Sequence, residues 1–316
     1  MAEICDYLMY GALCRAPCRA SARALCGAAH PPLCRATNRA SIHAIVCALH
    51  RAYSGAIRRA CKECRALDHA SVLYRATCRA VGAHRRYNVP VITIAQSKGG
   101  AGKTTLALAL ASEFEALGGT VHMLDADRQN SLLNWHRDRE AKGEGRGPKI
   151  VVEDASQLRD ADIGAAIKRA RQEAQLVIVD SEGTSNFKTA YAAMDSDFVV
   201  IPTRSSRLDL ERTVETADML EKMCGGVPYR VLITQTGQVA RSKAEWEIDA
   251  QIGRAMPTFE EQMHTLDAFR AMSNYRMTLG EVEAAHLAKT DKARRIAQSI
   301  LANILEEINA KEVAHA

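Results

Sequence analysis

Three short stretches hold the side chains with which this chain could do chemistry. The first is Ser97-Lys98-Gly99-Gly100-Ala101-Gly102-Lys103-Thr104-Thr105. Glycines let backbone N–H groups turn inward on an anion, lysine adds positive charge, and a threonine hydroxyl can ligate a cation. Together these suit a polyphosphate carried with Mg²⁺. The second stretch is Asp125-Ala126-Asp127-Arg128-Gln129, with two carboxylates two positions apart. The third is Asp180-Ser181-Glu182-Gly183-Thr184, an acid at the end of an apolar run with the D-x-x-G spacing of a γ-phosphate sensor. Lys103 is expected to reach the β/γ-phosphates. Thr104 is expected to offer its hydroxyl to Mg²⁺, and Asp180 to hold the ion through water.

Such side chains need elements to place them. A β-branched run, Val91 to Gln96, precedes the glycine loop, and an Ala/Leu-rich helix, LALALASEFEAL, follows it. Strand, glycine loop, Gly-Lys-Thr and helix form a phosphate-binding loop, and the helix N-terminus adds its partial positive charge there. The run 120–127 reads as a second strand. Residues i and i+2 of a strand share a face, so Asp125 and Asp127 are expected to point into one crevice beyond its carboxyl end. Residues 175–180 read as a buried strand ending in Asp180, and 149–153, 197–202 and 229–234 as further strands. Helices are expected around 161–173 and over 208–224, the latter carrying Leu208, Val214 and Leu220. Continuous apolar strands alternating with helices imply an α/β fold, a doubly wound, mostly parallel sheet with helices on both faces.

Composition bounds the rest. No apolar run in the 316 residues approaches the roughly 20 needed to span a bilayer, so an integral membrane protein is not expected. No signal peptide is evident, and a cytoplasmic protein is the default. Nine of the ten cysteines fall in residues 1–88, which carry a net charge of +10, against −5 for the remainder. Basic character therefore belongs to the leader alone. The leader repeats Cys-Arg-Ala without a fixed period and has few bulky apolar residues. A zinc module around Cys61, Cys64 and His69 lacks its second knuckle. A basic arm that touches nucleic acid, and a segment read upstream of a natural start at Val89, remain as alternatives. Residues 1–88 are thus expected to be unstructured or no part of the functional protein, and 89–316 to form the working domain.

The loop departs from the common G-x-x-x-x-G-K-[ST] pattern, with Ser97 at the first glycine position and Lys98 as a second lysine. This K-G-G-x-G-K-T-T form resembles the deviant Walker A loop of the ParA/MinD ATPases, and the resemblance extends over roughly residues 89–310. It implies an ATPase that binds ATP and Mg²⁺ through Lys98, Gly99, Gly100, Ala101, Gly102, Lys103, Thr104 and Thr105. Asp125-Ala126-Asp127-Arg128-Gln129 is similar to the family's D-x-D-P-Q element, with Arg128 in place of proline. By that resemblance Asp127 positions or activates the attacking water and Asp125 supports the magnesium shell. Lys98 would cross a dimer interface to the partner's nucleotide. Pro202, Thr234 and Gln235, at the ends of late strands, are placed near the adenine by analogy.

Members of this family do different jobs. One cysteine, Cys224, lies beyond residue 88, which disfavours an iron–sulfur carrier, and no tyrosine follows Tyr275, which disfavours a tyrosine kinase. The run 293–311 carries Ile296, Ile300, Leu301, Ile304, Leu305 and Ile308 at helical spacing. Its polar face is crowded with acids toward the end, so a core-packed helix is expected rather than a MinD-like membrane helix. Asp267-Ala268-Phe269-Arg270-Ala271-Met272 and Met277-Thr278-Leu279-Gly280 resemble a stretch of short plasmid-type ParA proteins and their conjugative relatives. The implied function is partition of a plasmid or other mobile DNA through an ATP-dependent homodimer that binds DNA without sequence preference. The implied partner is a ParB-like centromere-binding protein, and the implied location is cytoplasmic and nucleoid-associated. The alternative is an ATP-switched accessory protein that recruits a relaxosome in conjugation or T-DNA transfer. Candidate DNA contacts are Arg241, Lys243, Arg270, Arg276, Lys289, Lys292, Arg294 and Arg295.

Overall fold

The computed structural model describes residues 89–314, apart from 98, 142, 144–148, 184–186 and 238–240. The expectations placed on residues 1–88, and on Lys98, lie outside the described residues. Seven parallel strands form one sheet in the order β3-β2-β4-β1-β5-β6-β7. The strands are β1 (Val91–Ile94), β2 (Val121–Asp125), β3 (Ile150–Asp154), β4 (Leu176–Asp180), β5 (Phe198–Thr203), β6 (Tyr229–Thr236) and β7 (Met263–His264). The helices between them are α1 (Lys103–Ala116), α2 (Ser131–Ala141), α3 (Ile163–Glu173), α4 (Phe187–Met194), α5 (Arg207–Met223) and α6 (Lys243–Ala255). After β7 come α7 (Asp267–Tyr275), α8 (Leu279–Ala284) and α9 (Asp291–Ala314). The expected doubly wound α/β fold is present.

The central strands are apolar throughout because both faces of the sheet are covered. Along β4, Leu176 and Ile178 join one core while Val177 and Val179 join another on the opposite face. The first core holds α1, α2 and the C-terminal helices against the sheet. Ile296, Ile300, Leu301, Ile304 and Ile308 of α9 are buried in it, so the apolar stripe packs inward as expected. Among the described residues no helix is long and apolar enough to cross a membrane.

Helix α5 buries a partly polar face. Leu220 is buried, but Leu208 and Val214 are exposed. The buried face is Asp209, Leu210, Thr213, Thr216, Ala217 and Leu220, half of it polar. The reason lies across the interface at Gln96. Its side-chain amide donates to the Pro202 carbonyl and the Thr213 hydroxyl, both at 3.1 Å. Its carbonyl accepts the Ser97 N–H at 2.8 Å. A buried amide needs such partners, so α5 turns its threonines rather than its leucines toward the start of the loop.

Candidate phosphate and cation site

Strands β1, β2 and β4 are neighbours in the sheet, and their carboxyl ends converge. Asp125 pairs in register with Asp180 across β2 and β4, and Ile94 pairs with Asp180 across β1 and β4. The glycine loop that leaves β1 therefore arches over both carboxylates. Gly100 and Gly102 take positive φ, 75° and 89°, which a side chain would resist. Gly102 begins α1, so N–H groups at the helix start are turned toward the cleft.

A cavity of about 730 Å³ opens there. It is lined by Gly99, Gly100, Gly102, Lys103, Thr104, Thr105, Asp127, Arg128, Gln129, Ser131, Glu182, Gly183 and Gln235. Most of the expected phosphate-loop residues thus share one cleft with Asp127. Ala101 is buried behind the loop. Gly183 comes so close that a methyl group on it would lie 3.2 Å from the Gly99 nitrogen and 3.3 Å from Lys103 Nζ. Lys103 is itself buried, and burial pulls its pKa down against the opposing pull of Asp180, Asp127 and Glu182.

The two strand-end acids do different work. Asp180 is buried, and Thr104 Oγ1 donates to its Oδ2 at 2.6 Å. Its Oδ1 is buried without a hydrogen-bond partner. Burial raises the Asp180 carboxyl to about 7, with Asp125 and Asp127 adding to the effect and Thr104 and Lys103 opposing it. A buried carboxylate oxygen with no donor is a place for a cation. A carboxylate with a hydroxyl beside it is a donor set that suits Mg²⁺, which is commonly held by one or two protein groups together with phosphates and water.

Asp125 departs from the expected geometry. Strand β2 ends at Asp125, so Asp127 is not its same-face neighbour but part of the following turn. Asp125 is buried and receives the N–H of Asp127 at 3.2 Å and of Leu133 at 2.8 Å. Burial raises its pKa, and those amides counter the rise. Its carboxylate fastens the start of α2 and the turn that carries Asp127, and it lines neither cavity. That turn is fixed further by Gln129 N–H to Asp127 Oδ1, 2.9 Å, and by Asn130 in the left-handed region at φ 51°. Asp127 therefore reaches the cleft by turn geometry, not by strand alternation.

Thr234 and Gln235 brace the loop from the far side. Thr234 Oγ1 donates to the Ala101 carbonyl at 2.8 Å, and Gln235 Nε2 to the Gly100 carbonyl at 2.7 Å. They also line a second cavity of about 430 Å³, which shares Gly102, Thr105 and Gln235 with the first and continues to Met263, His264, Thr265, Leu266, Phe269 and Arg270. The segment 263–266 was missed in the sequence because β7 has two residues and no apolar period. Pro202 is buried within β5 and lines neither cavity.

Several basic candidates are committed elsewhere. Arg294 Nε donates to Glu113 of α1 at 2.9 Å, and its Nη1 bonds Glu283. Glu113 is almost fully buried, so Arg294 is its counter-ion. Arg276 pairs with Asp138 at 2.8 Å and donates to the Ser273 carbonyl. Arg241 is buried against Asp249 at 2.6 Å and lies over the Trp246 ring. These three are held in ion pairs within the protein, which charge counting could not reveal. Lys243, Arg270, Lys289 and Arg295 are exposed, and Lys292 is half-buried.

With the site in view, comparison with known proteins decides the family. The sequence model described as VirC1 protein matches residues 89–314, well over half of the chain. The chain belongs to the VirC1 family. This VirC1-family chain is also similar to curated proteins along the same span. It is 26% identical to the protein ParA of Rhizobium radiobacter over 228 residues, 70% of this chain and 100% of that protein. It is 26% identical to the protein virC1 of Rhizobium radiobacter over 227 residues, 69% of this chain and 94% of that protein. Among solved structures, a proposed plasmid partition protein of Borrelia burgdorferi B31 bound to AMPPNP superposes with a TM-score of 0.54 at 15% identity. The match covers 70% of this chain and 99% of that one. At that identity the likeness speaks for the fold, which is that of the ParA- and MinD-like ATPases.

Proposed function

We propose that this VirC1-family chain is an Mg²⁺-dependent ATPase that uses ATP to switch its hold on mobile DNA. The observation that carries the reading is the unpaired, buried Asp180 Oδ1, on a carboxylate bonded to Thr104, which lines one cavity with the glycine loop and Asp127. In this reading the loop N–H groups and Lys103 hold the phosphates, and Thr104 and Asp180 hold Mg²⁺. When bound, the ion neutralises charge on the phosphate oxygens. Asp127 sits at the mouth, where it orients the attacking water and accepts its proton. Asp125 keeps Asp127 in place. The adenine lies in the second cavity, between Thr234–Gln235 and Met263–Leu266, while Pro202 has no part in holding it. Lys98 acts across an ATP-dependent homodimer on the partner's nucleotide.

The DNA contact falls to the exposed Arg270, Lys289 and Arg295, with Lys292 at the margin. DNA binding is nonspecific, and a ParB-like protein or a relaxosome component reads the state. Similarity to a ParA protein favours partition, and membership of the VirC1 family favours the alternative, recruitment of DNA-transfer machinery. Hydrolysis of ATP by the full chain, with Lys103→Ala as its blank, tests the core of the proposal. No hydrolysis above that blank, with or without DNA, would remove it. Co-purification from cells carrying the neighbouring genes separates the two outputs: a small DNA-binding partner supports partition, a relaxase complex supports transfer.

A further inference from the structure

Arg128 stands at the mouth of the phosphate cleft, and no step of the hydrolysis described above uses it. It occupies the tip of the turn whose backbone Asp125, Asp127 and Asn130 hold rigid, so its base is fixed while its side chain, 78% exposed, is free to swing. It lines the same cavity as Gly99, Gly100, Lys103 and Thr104. Among the described residues its ionic neighbour is Glu182, with Nε 4.0 Å from Oε1, in the segment that also brings Gly183 against Gly99 and Lys103. The pair thus spans the mouth of the cleft, from the turn after β2 to the turn after β4.

An ion pair at that distance with an exposed arginine is worth little, on the order of 0–1 kcal/mol. A terminal phosphate with two negative charges is a stronger attractor, and a guanidinium can grip two of its oxygens at once. We infer that Arg128 is a γ-phosphate-sensing residue of this chain: it leaves Glu182 for the terminal phosphate of ATP and stays on Glu182 when the cleft holds ADP. The exchange breaks one weak pair and makes a stronger one, so it adds preference for the triphosphate. This inference rests on the ATPase reading above.

The test is equilibrium binding of fluorescent ATP and ADP analogues, with Mg²⁺, to the full chain and its variants. The unchanged protein should prefer the ATP analogue. Arg128→Ala should weaken ATP binding about tenfold, the size of one charge-assisted contact, and leave ADP binding within about twofold. Arg128→Lys should recover part of the loss. Thermal unfolding should not move, because the side chain is exposed. Glu182→Gln should tighten ATP binding by more in the unchanged background than in the Arg128→Ala background, since only the former has an arginine to release. Equal loss of ATP and ADP affinity, or additive effects of the two substitutions, would overturn the sensing role while leaving the ATPase reading intact. Failure of the unchanged protein to bind either analogue would overturn that reading, and this inference with it.

Discussion

The phosphate cleft and the C-terminal helical layer differ in what their charged side chains face. In the layer formed by α7, α8 and α9, charges are matched in pairs: Arg294 with Glu113 and Glu283, Arg276 with Asp138, Arg139 with Glu281. Each pair ties one helix to another. In the cleft, Lys103, Asp127, Arg128 and Glu182 face a shared cavity, and Asp180 Oδ1 lies buried with no donor. A charge matched inside the protein serves the fold. A buried polar atom left without a partner marks where a ligand belongs.

The sharpest way to break the contrast is to remove one charge from each region. Lys103→Ala should lower ATP affinity by at least about 100-fold while leaving the melting temperature of the nucleotide-free protein unchanged or higher, since a buried charge has gone. Isothermal titration and thermal denaturation read both effects. Asp127→Ala should keep ATP binding within a few-fold and slow single-turnover hydrolysis by about 100-fold, the usual share of a proton-accepting group. A normal hydrolysis rate in that variant would remove Asp127 from the chemistry.

In the helical layer the effect moves from binding to stability. Arg294→Ala strands the buried Glu113 carboxylate, whose other recorded partner is Gln298, and should cost roughly 3 kcal/mol in a denaturant titration. Arg295, the next residue along and exposed, should cost no more than about 0.5 kcal/mol when changed to alanine. Equal losses at the two positions would mean that the Glu113 latch does not hold α1 to α9 as described.

The two regions also differ in how far they could be read from the chain. The glycine loop, Lys103, Thr104 and Asp180 were legible because their chemistry is local: a few consecutive residues make the turn, and a strand must precede it. Six of the seven strands were legible for a related reason, since apolar strands alternating with helices leave few layerings. Asp127 was found by the wrong geometric route, because a strand end two residues earlier than expected changes which neighbours share a face. The pairs of Arg294 with Glu113 and of Arg276 with Asp138 were not legible, because the partners lie 181 and 138 positions apart. The orientation of α5 depends on Gln96, a single buried amide that no periodicity announces.

Acidity gives a gentler probe of the cleft. Burial keeps Asp180 protonated in the empty folded protein up to about pH 7, whereas an ordinary aspartate releases its proton near 3.8. The stability this group contributes is therefore full below about pH 3.8 and is lost as pH rises through 7. Binding of Mg²⁺ needs the carboxylate, so it should release a proton below pH 7. MgATP affinity should then rise up to about tenfold per pH unit toward 7 and flatten above it. Asp180→Asn should abolish that slope and make the nucleotide-free protein relatively more stable at pH 8. A MgATP affinity in the unchanged protein that ignores pH between 5.5 and 8 would show that Asp180 is already ionised in the empty cleft.

The smallest expected effect falls on the exposed cations that the helical layer leaves unmatched. If Lys289 and Arg295 touch DNA phosphates, each neutralises one and releases about one counterion, so affinity falls with salt in proportion to the number of such contacts. Arg295→Ala should therefore reduce the slope of log affinity against log salt by about one and weaken binding about equally on unrelated sequences. Arg270 differs, because it pairs with Asp267 at 3.1 Å and lines the second cavity. Its removal should alter nucleotide binding as well as DNA binding, whereas Arg295→Ala should leave the former untouched. Fluorescence anisotropy at several salt concentrations, with saturating ATP, measures both. An unchanged slope for Arg295→Ala and for Lys289→Ala would move the DNA contact off this face of the molecule.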